Sequence, residues 1–101
     1  MLMASRTGGP IRKRYVVKKA GHLEHYDRDK IYRSVYSACY VVHKKHEECH
    51  RIAKQVVEKA DRYVKGTREI TTKDIFNLVK KELHKIDKDI HFMYSEHMDI
   101  A

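Results

Sequence analysis

VVKKAGHLEHYDRDKI, Val16 to Ile31, holds three lysines and three carboxylates within sixteen residues, and its reading decides the fold. RYVVKKA alternates well enough for a strand with β-branched residues at its centre, and HLEHY reads as a second short strand. The link between them, Ala20-Gly21, suits a two-residue hairpin turn with a positive φ at its glycine. Asp27 then stands where a helix needs an N-cap, and Asp29 in the next turn complements the helix dipole. The stretch therefore predicts a hairpin that runs straight into a helix.

Outward from this point the apolar residues recur at helical spacing. Ile31, Val35, Ala38 and Val42 predict a helix over 28–42, and Ile52, Val56, Ala60 and Tyr63 or Val64 predict a second over 47–65, with Gly66 as its C-cap. TREI, residues 67–70, reads as a third short strand. Thr71-Thr72 offers an N-cap to a helix carrying Ile75, Leu78, Val79, Leu83 and Ile86, with Asp74 in its first turn. A last helix starts near Asp87 and carries Ile90, Met93, Tyr94 and Met98. Strands gathered at one end, without βαβ alternation, predict an α+β fold: a four-helix bundle capped by a small three-stranded sheet, hairpin plus one short strand.

The whole chain sets the bounds. Its 101 residues suit one small core, and its net charge of +8 points to an anionic partner without saying which kind. No apolar run approaches a membrane span and the N-terminus lacks the apolar middle of a secretory signal, so the chain reads as cytosolic with no membrane partner. Residues 1–13, with Gly8, Gly9 and Pro10 among basic residues, read as a flexible basic arm before a domain over 14–101. Cys39 and Cys49 fall inside helical patterns and lack CxxC spacing, which argues against a disulfide framework or a zinc ribbon.

Within the opening stretch, neighbouring residues of a strand point to opposite faces, so one of Lys18 and Lys19 is expected to point inward or along the sheet edge. A lysine held against a core needs a carboxylate or an outside anion. Lys30, in the first turn of a helix, stands at the wrong end of the dipole unless an anion lies nearby, and the helix N-terminus offers free N–H groups to such an anion. From the pattern alone, pairing of Lys18, Lys19 and Lys30 with Glu24, Asp27 and Asp29 as weak surface ion pairs accounts for the same residues.

A resemblance adds specificity. The run VVKKAGHLEHYDRDKI, followed by RSVYSAC and later by EITTKDIFNLVKKEL, resembles the ATP-cone family. That family's pattern is Val-x-Lys-Arg-Asp-Gly in a hairpin, Glu three residues after the Gly, Lys-Ile opening the first helix, and Ile-Thr-Thr before the third. The likeness spans about Tyr15 to Tyr94. It implies a non-catalytic regulatory domain that binds ATP or dATP, with Mg²⁺, as found in ribonucleotide reductases and in the transcriptional repressor of their genes. It further implies that Lys18, Lys19 and Lys30 hold the phosphates, with Thr72 supporting them from its helix N-terminus. Glu24 and Asp27 would hydrogen-bond the base or ribose, and Val17 and Ile31 would pack against the adenine. Cations with a helix N-terminus for phosphate, and apolar walls for a base, agree with that assignment. The sequence departs from the family at Lys19 in place of Arg, at Ala20 in place of Asp, at Asp27 where Asn often serves, and at Tyr94 in place of a basic residue.

Two further clusters stand out. HKKHEECH places His43, His46, Cys49 and His50 at spacings that one continuous helix would gather near one face, but the cluster spans the join between two helices. A solvated polar junction is the simpler reading, and no metal is assigned. Tyr32, Tyr36 and Tyr40 repeat every fourth residue, as partly buried packing or, for Tyr36 and Tyr40, as a self-association surface. No Walker-type loop and no activated nucleophile are found, so the chain is not read as an enzyme. A cone without a catalytic domain beside it is expected to act through homo-oligomers or a separate partner protein, or to belong to a longer protein. The alternative is a small basic nucleic-acid-binding domain, using the RKR of the arm with Lys44, Lys45, Lys54, Lys80, Lys81 and Lys85.

Overall fold

The computed structural model describes residues 16–19, 22–67 and 70–97, with side chains over 25–67 and 70–96. The expected basic arm, the Ala20-Gly21 turn, Arg68, Glu69 and Met98 lie outside the described residues. Strands β1 (Val16–Lys19) and β2 (His22–His25) pair antiparallel, and four helices follow: α1 (Arg28–Val41), α2 (His46–Gly66), α3 (Thr72–Ile86) and α4 (Lys88–His97).

The four helices answer to the apolar spacing, but the α+β class with a three-stranded sheet is corrected. The described residues form a helical domain carrying one two-stranded ribbon, with strand order β1-β2. Of the segment expected to be a third strand, Thr67 and Ile70 are not in a strand and Thr71 makes only an isolated bridge. The physical reason is local: Ile70 is buried in the helical core and Thr71 is already committed to capping α3, which leaves no run long enough for a ladder.

Both caps read from the sequence are formed. Asp27 accepts a hydrogen bond from the Lys30 N–H at 3.2 Å, and Thr71 Oγ1 accepts from the Asp74 N–H at 3.0 Å. The Thr71 N–H in turn donates to Asp74 Oδ2 at 3.0 Å, which completes a reciprocal capping box. The expected C-cap at Gly66 is corrected: Gly66 is the last residue of α2, and the chain leaves through Thr67 in extended conformation. The left-handed residue is His43 instead, with φ of 69° at the end of α1. There the Lys44 N–H donates to Cys39 O and the His43 N–H to Tyr40 O, the paired bonds of a Schellman closure. The chain must reverse between α1 and α2 within four residues, whereas it leaves α2 extended and needs no such bend.

The helices share one core. Ile31, Val35, Ala38 and Cys39 of α1 meet Cys49, Ile52, Ala53, Val56 and Ala60 of α2, while Val79 and Leu83 of α3 and Ile90 and Tyr94 of α4 complete it, all at most 3% exposed. α1 packs on α2 and α4, and α3 on α4 and α2, so each helix has two helical neighbours. Val42, read as part of the buried stripe, is only half-buried because it caps α1. Among the described residues no helix is long and apolar enough to cross a membrane.

Candidate functional site

The ribbon, the start of α1 and the start of α3 are brought together by connectivity and packing. Register sets Val17 opposite Glu24, Lys18 opposite Leu23 and Lys19 opposite His22, so Val17, Lys18, Lys19 and Glu24 occupy three adjacent rungs. Their side chains lie outside the described residues. β2 passes through Tyr26 directly into the Asp27 cap, and β1 lies against α3, the helix that Thr72 opens. Thus all eight residues named from the resemblance lie on the ribbon or on the first turns of α1 and α3.

Of the four whose side chains are described, each has a distinct environment. Lys30 is half-buried in the first turn of α1 and has no carboxylate partner among the described residues. An ammonium placed beside a helix N-terminus is disfavoured by the dipole, so an outside anion would relieve two strains at once. Asp27 is exposed, with Oδ1 accepting the Lys30 N–H; its carboxylate repels a phosphate brought to that same N-terminus and suits a hydroxyl donor or a metal-bound phosphate better. Ile31 is 3% exposed and belongs to the core beneath. Thr72 is the first residue of α3 and half-buried, with Thr71 taking the cap.

A clamp that the sequence did not reveal holds this end together. The Tyr26 hydroxyl donates to Asp61 Oδ1 at 2.7 Å, and Arg28 reaches the same carboxylate through NH2 to Oδ2 at 2.8 Å and Nε to Oδ2 at 3.1 Å. Burial, then the bond to Asp61, pushes the Tyr26 phenol far above its ordinary range, and the Asp61 bond raises the Arg28 guanidinium. The phenol stays neutral and donating, and the residue between β2 and the Asp27 cap is fixed to the C-terminal turns of α2. The only sequence signal was an aromatic residue just before an N-cap.

A family model described as an ATP cone domain matches residues 14–97. The chain belongs to the ATP-cone family. ATP-cone domains are regulatory nucleotide-binding domains, and the cone here accounts for nearly the whole chain. No curated protein matches the chain.

The remaining clusters of the cone lie along the α1–α2 seam and around the turn that joins these helices. Tyr32, Tyr36 and Tyr40 stack along α1 with centroids 6.0 and 6.5 Å apart. The Tyr32 hydroxyl is hydrogen-bonded to His50 Nδ1 at 2.6 Å and that of Tyr36 to His46 Nδ1, so the tyrosines stitch α1 to α2. The HKKHEECH cluster is split: His43 sits in the turn, His46 and His50 face the tyrosines, and Cys49 is fully buried. Among the described residues no three His, Cys, Asp or Glu side chains come together as metal ligands. Cys39 and Cys49 are free thiols; burial pushes Cys39 up to about 12 and raises Cys49 as well. Lys44 pairs with Asp87 at 2.8 Å, and Asp87 also accepts the N–H groups of Asp89 and Ile90 at the start of α4. The Lys44 bond is the largest influence holding the Asp87 carboxyl below its usual range.

Proposed function

We propose that this cone binds ATP or dATP, with Mg²⁺ on the phosphates, between the ribbon and the first turns of α1 and α3, and that it acts without catalysis. Occupancy would alter association with itself or with a partner protein, in the service of ribonucleotide reduction or its control. The observation that carries the reading is Lys30: a half-buried ammonium at a helix start with no carboxylate partner among the described residues. Lys18 and Lys19 on the adjoining rungs would share the phosphates with it, and Thr72 would add a hydroxyl from α3. Asp27 and Glu24 would receive hydrogen bonds from base or ribose, with Val17 as the apolar side and Ile31 in the core behind it.

The Tyr26–Asp61–Arg28 clamp supports a route outward. A nucleotide that pulls the ribbon toward α3 loads the joint between β2 and α1, and the clamp passes that load to the C-terminal turns of α2. Association would then change because a ligand prefers one arrangement of ribbon and helices over another. Sedimentation of the purified chain with Mg²⁺ alone, with Mg-ATP and with Mg-dATP tests the signalling half. A nucleotide-dependent change in mass supports it, and an unchanged monomer in the presence of saturating nucleotide refutes self-association as the output.

A further inference from the structure

The outer side of α3 carries one sign of charge along its length. Lys73 and Lys81 are exposed on it, Lys85 is exposed and paired with Glu82 at 3.3 Å, Lys80 is half-exposed over the Phe76 ring, and Lys88 continues the row at the start of α4. The carboxylates of this stretch are withdrawn or engaged. Asp74 is held in the capping box, Glu82 is 7% exposed beneath Lys85, and Asp87 is bound by Lys44 and by the start of α4. From 75 to 88 no described carboxylate is both exposed and unengaged; Asp89, exposed in the first turn of α4, is the nearest one that is.

α4 folds back so that both helices form one surface. His91 Nδ1 donates to the Lys80 carbonyl at 2.9 Å, and its ring meets His84 edge-on at 5.0 Å. Next to His91 stands Phe92, 60% exposed, the most exposed phenylalanine or aliphatic side chain of the described core-forming helices. A row of lysines beside an open aromatic face is what a single-stranded nucleic acid requires: cations for the phosphodiesters and a ring on which an unpaired base can stack. We propose that the α3–α4 face binds a single-stranded nucleic acid, with Lys81 and Lys88 along the backbone and Phe92 against a base. Lys85 lies thirteen residues beyond Thr72, about 20 Å along α3 at 1.5 Å per residue, so this surface is separate from the nucleotide site. It stands whether or not ATP binds.

Of the lysines expected to serve nucleic acid, Lys44 is spent on Asp87, and Lys54 lies on α2, where Arg51, Lys54, Lys59, Arg62 and Lys65 are exposed with Glu58 among them but no exposed phenylalanine stands beside them. That contrast supplies the control. Fluorescence anisotropy of a labelled oligothymidine strand, followed across a salt series, is the measurement. Lys81→Glu/Lys88→Glu should weaken binding at least tenfold and flatten the salt slope by about 1.4, from about 0.7 per lost phosphate contact on a single strand. Lys54→Glu/Lys59→Glu, the same charge change on α2, should stay within threefold of the parent. Phe92→Ala should lower affinity for the strand more than for the matching duplex. Equal losses in the two lysine pairs would reduce the effect to net charge and overturn the assignment. So would tighter binding to duplex than to strand, or binding to anionic phospholipid vesicles with none to the strand. Circular dichroism melts of each variant separate loss of binding from loss of fold.

Discussion

The two ends of the helical domain differ in what they leave open. Around the α1–α2 connection the polar groups are engaged internally: Lys44 by Asp87, the Tyr36 hydroxyl by His46, the last carbonyls of α1 by the His43 turn. At the ribbon end the scaffold is equally well tied, through Tyr26, Arg28 and Asp61, yet Lys30 is left without a carboxylate among the described residues. A closed end stabilises, whereas a firmly held end with an unspent cation can receive an anion. The difference separates polar groups already engaged within the fold from a cation that is open to an outside anion.

The largest effect on stability should come from the clamp. Asp61→Ala strands the buried Tyr26 hydroxyl and releases the exposed Arg28, and should cost about 2 kcal/mol, within the ~1–3 kcal/mol for an unsatisfied buried group, read from urea unfolding. If Asp61→Ala left the ribbon end unchanged, the clamp would not be what fixes it. At the opposite end, His43→Gly should gain about 0.5–1 kcal/mol by removing a side chain from left-handed backbone, offset in part by the greater freedom of unfolded glycine. Tyr32→Phe loses one exposed hydrogen bond and should cost only about 0.5 kcal/mol.

Asp87 gives the comparison a pH dependence. Its folded carboxyl titrates below the ordinary value of about 3.9, so its contribution is fully present above that value. It is lost as the pH falls through the folded value. Thermal melts of the parent and Asp87→Asn should differ near neutrality and converge in acid, and a gap that stays constant to low pH would contradict the role given to the Lys44 pair.

The helices were legible because their signals are local. Asp27, Thr71 and most of the apolar spacing of α1 to α4 each act within a few residues; Val42 is the exception, ending α1 where the stripe predicts burial. TREI looked like a strand because β-propensity is set by context, and burial of Ile70 with commitment of Thr71 to a cap overrode it. Gly66 suggests a C-cap because glycine commonly ends helices, but the helix leaves through extended Thr67 and the left-handed reversal falls at His43, where the tight turn between α1 and α2 requires it. The clamp joins residues 26 and 61, and no local pattern announces a contact over that separation. As for the site, the sequence named its residues through resemblance; the structure adds that β1 packs on α3, that Asp27 is spent partly on capping and that Ile31 is core.

The central claim is a nucleotide at the ribbon end, and calorimetric titration of the parent chain and of Lys30→Ala with Mg-ATP and Mg-dATP tests it most directly. The account predicts saturable binding by the parent and at least a tenfold loss in Lys30→Ala, with its melting temperature kept within a few degrees. Saturable binding of equal strength in both proteins would contradict the site, and no binding by the parent at near-millimolar nucleotide would contradict the function.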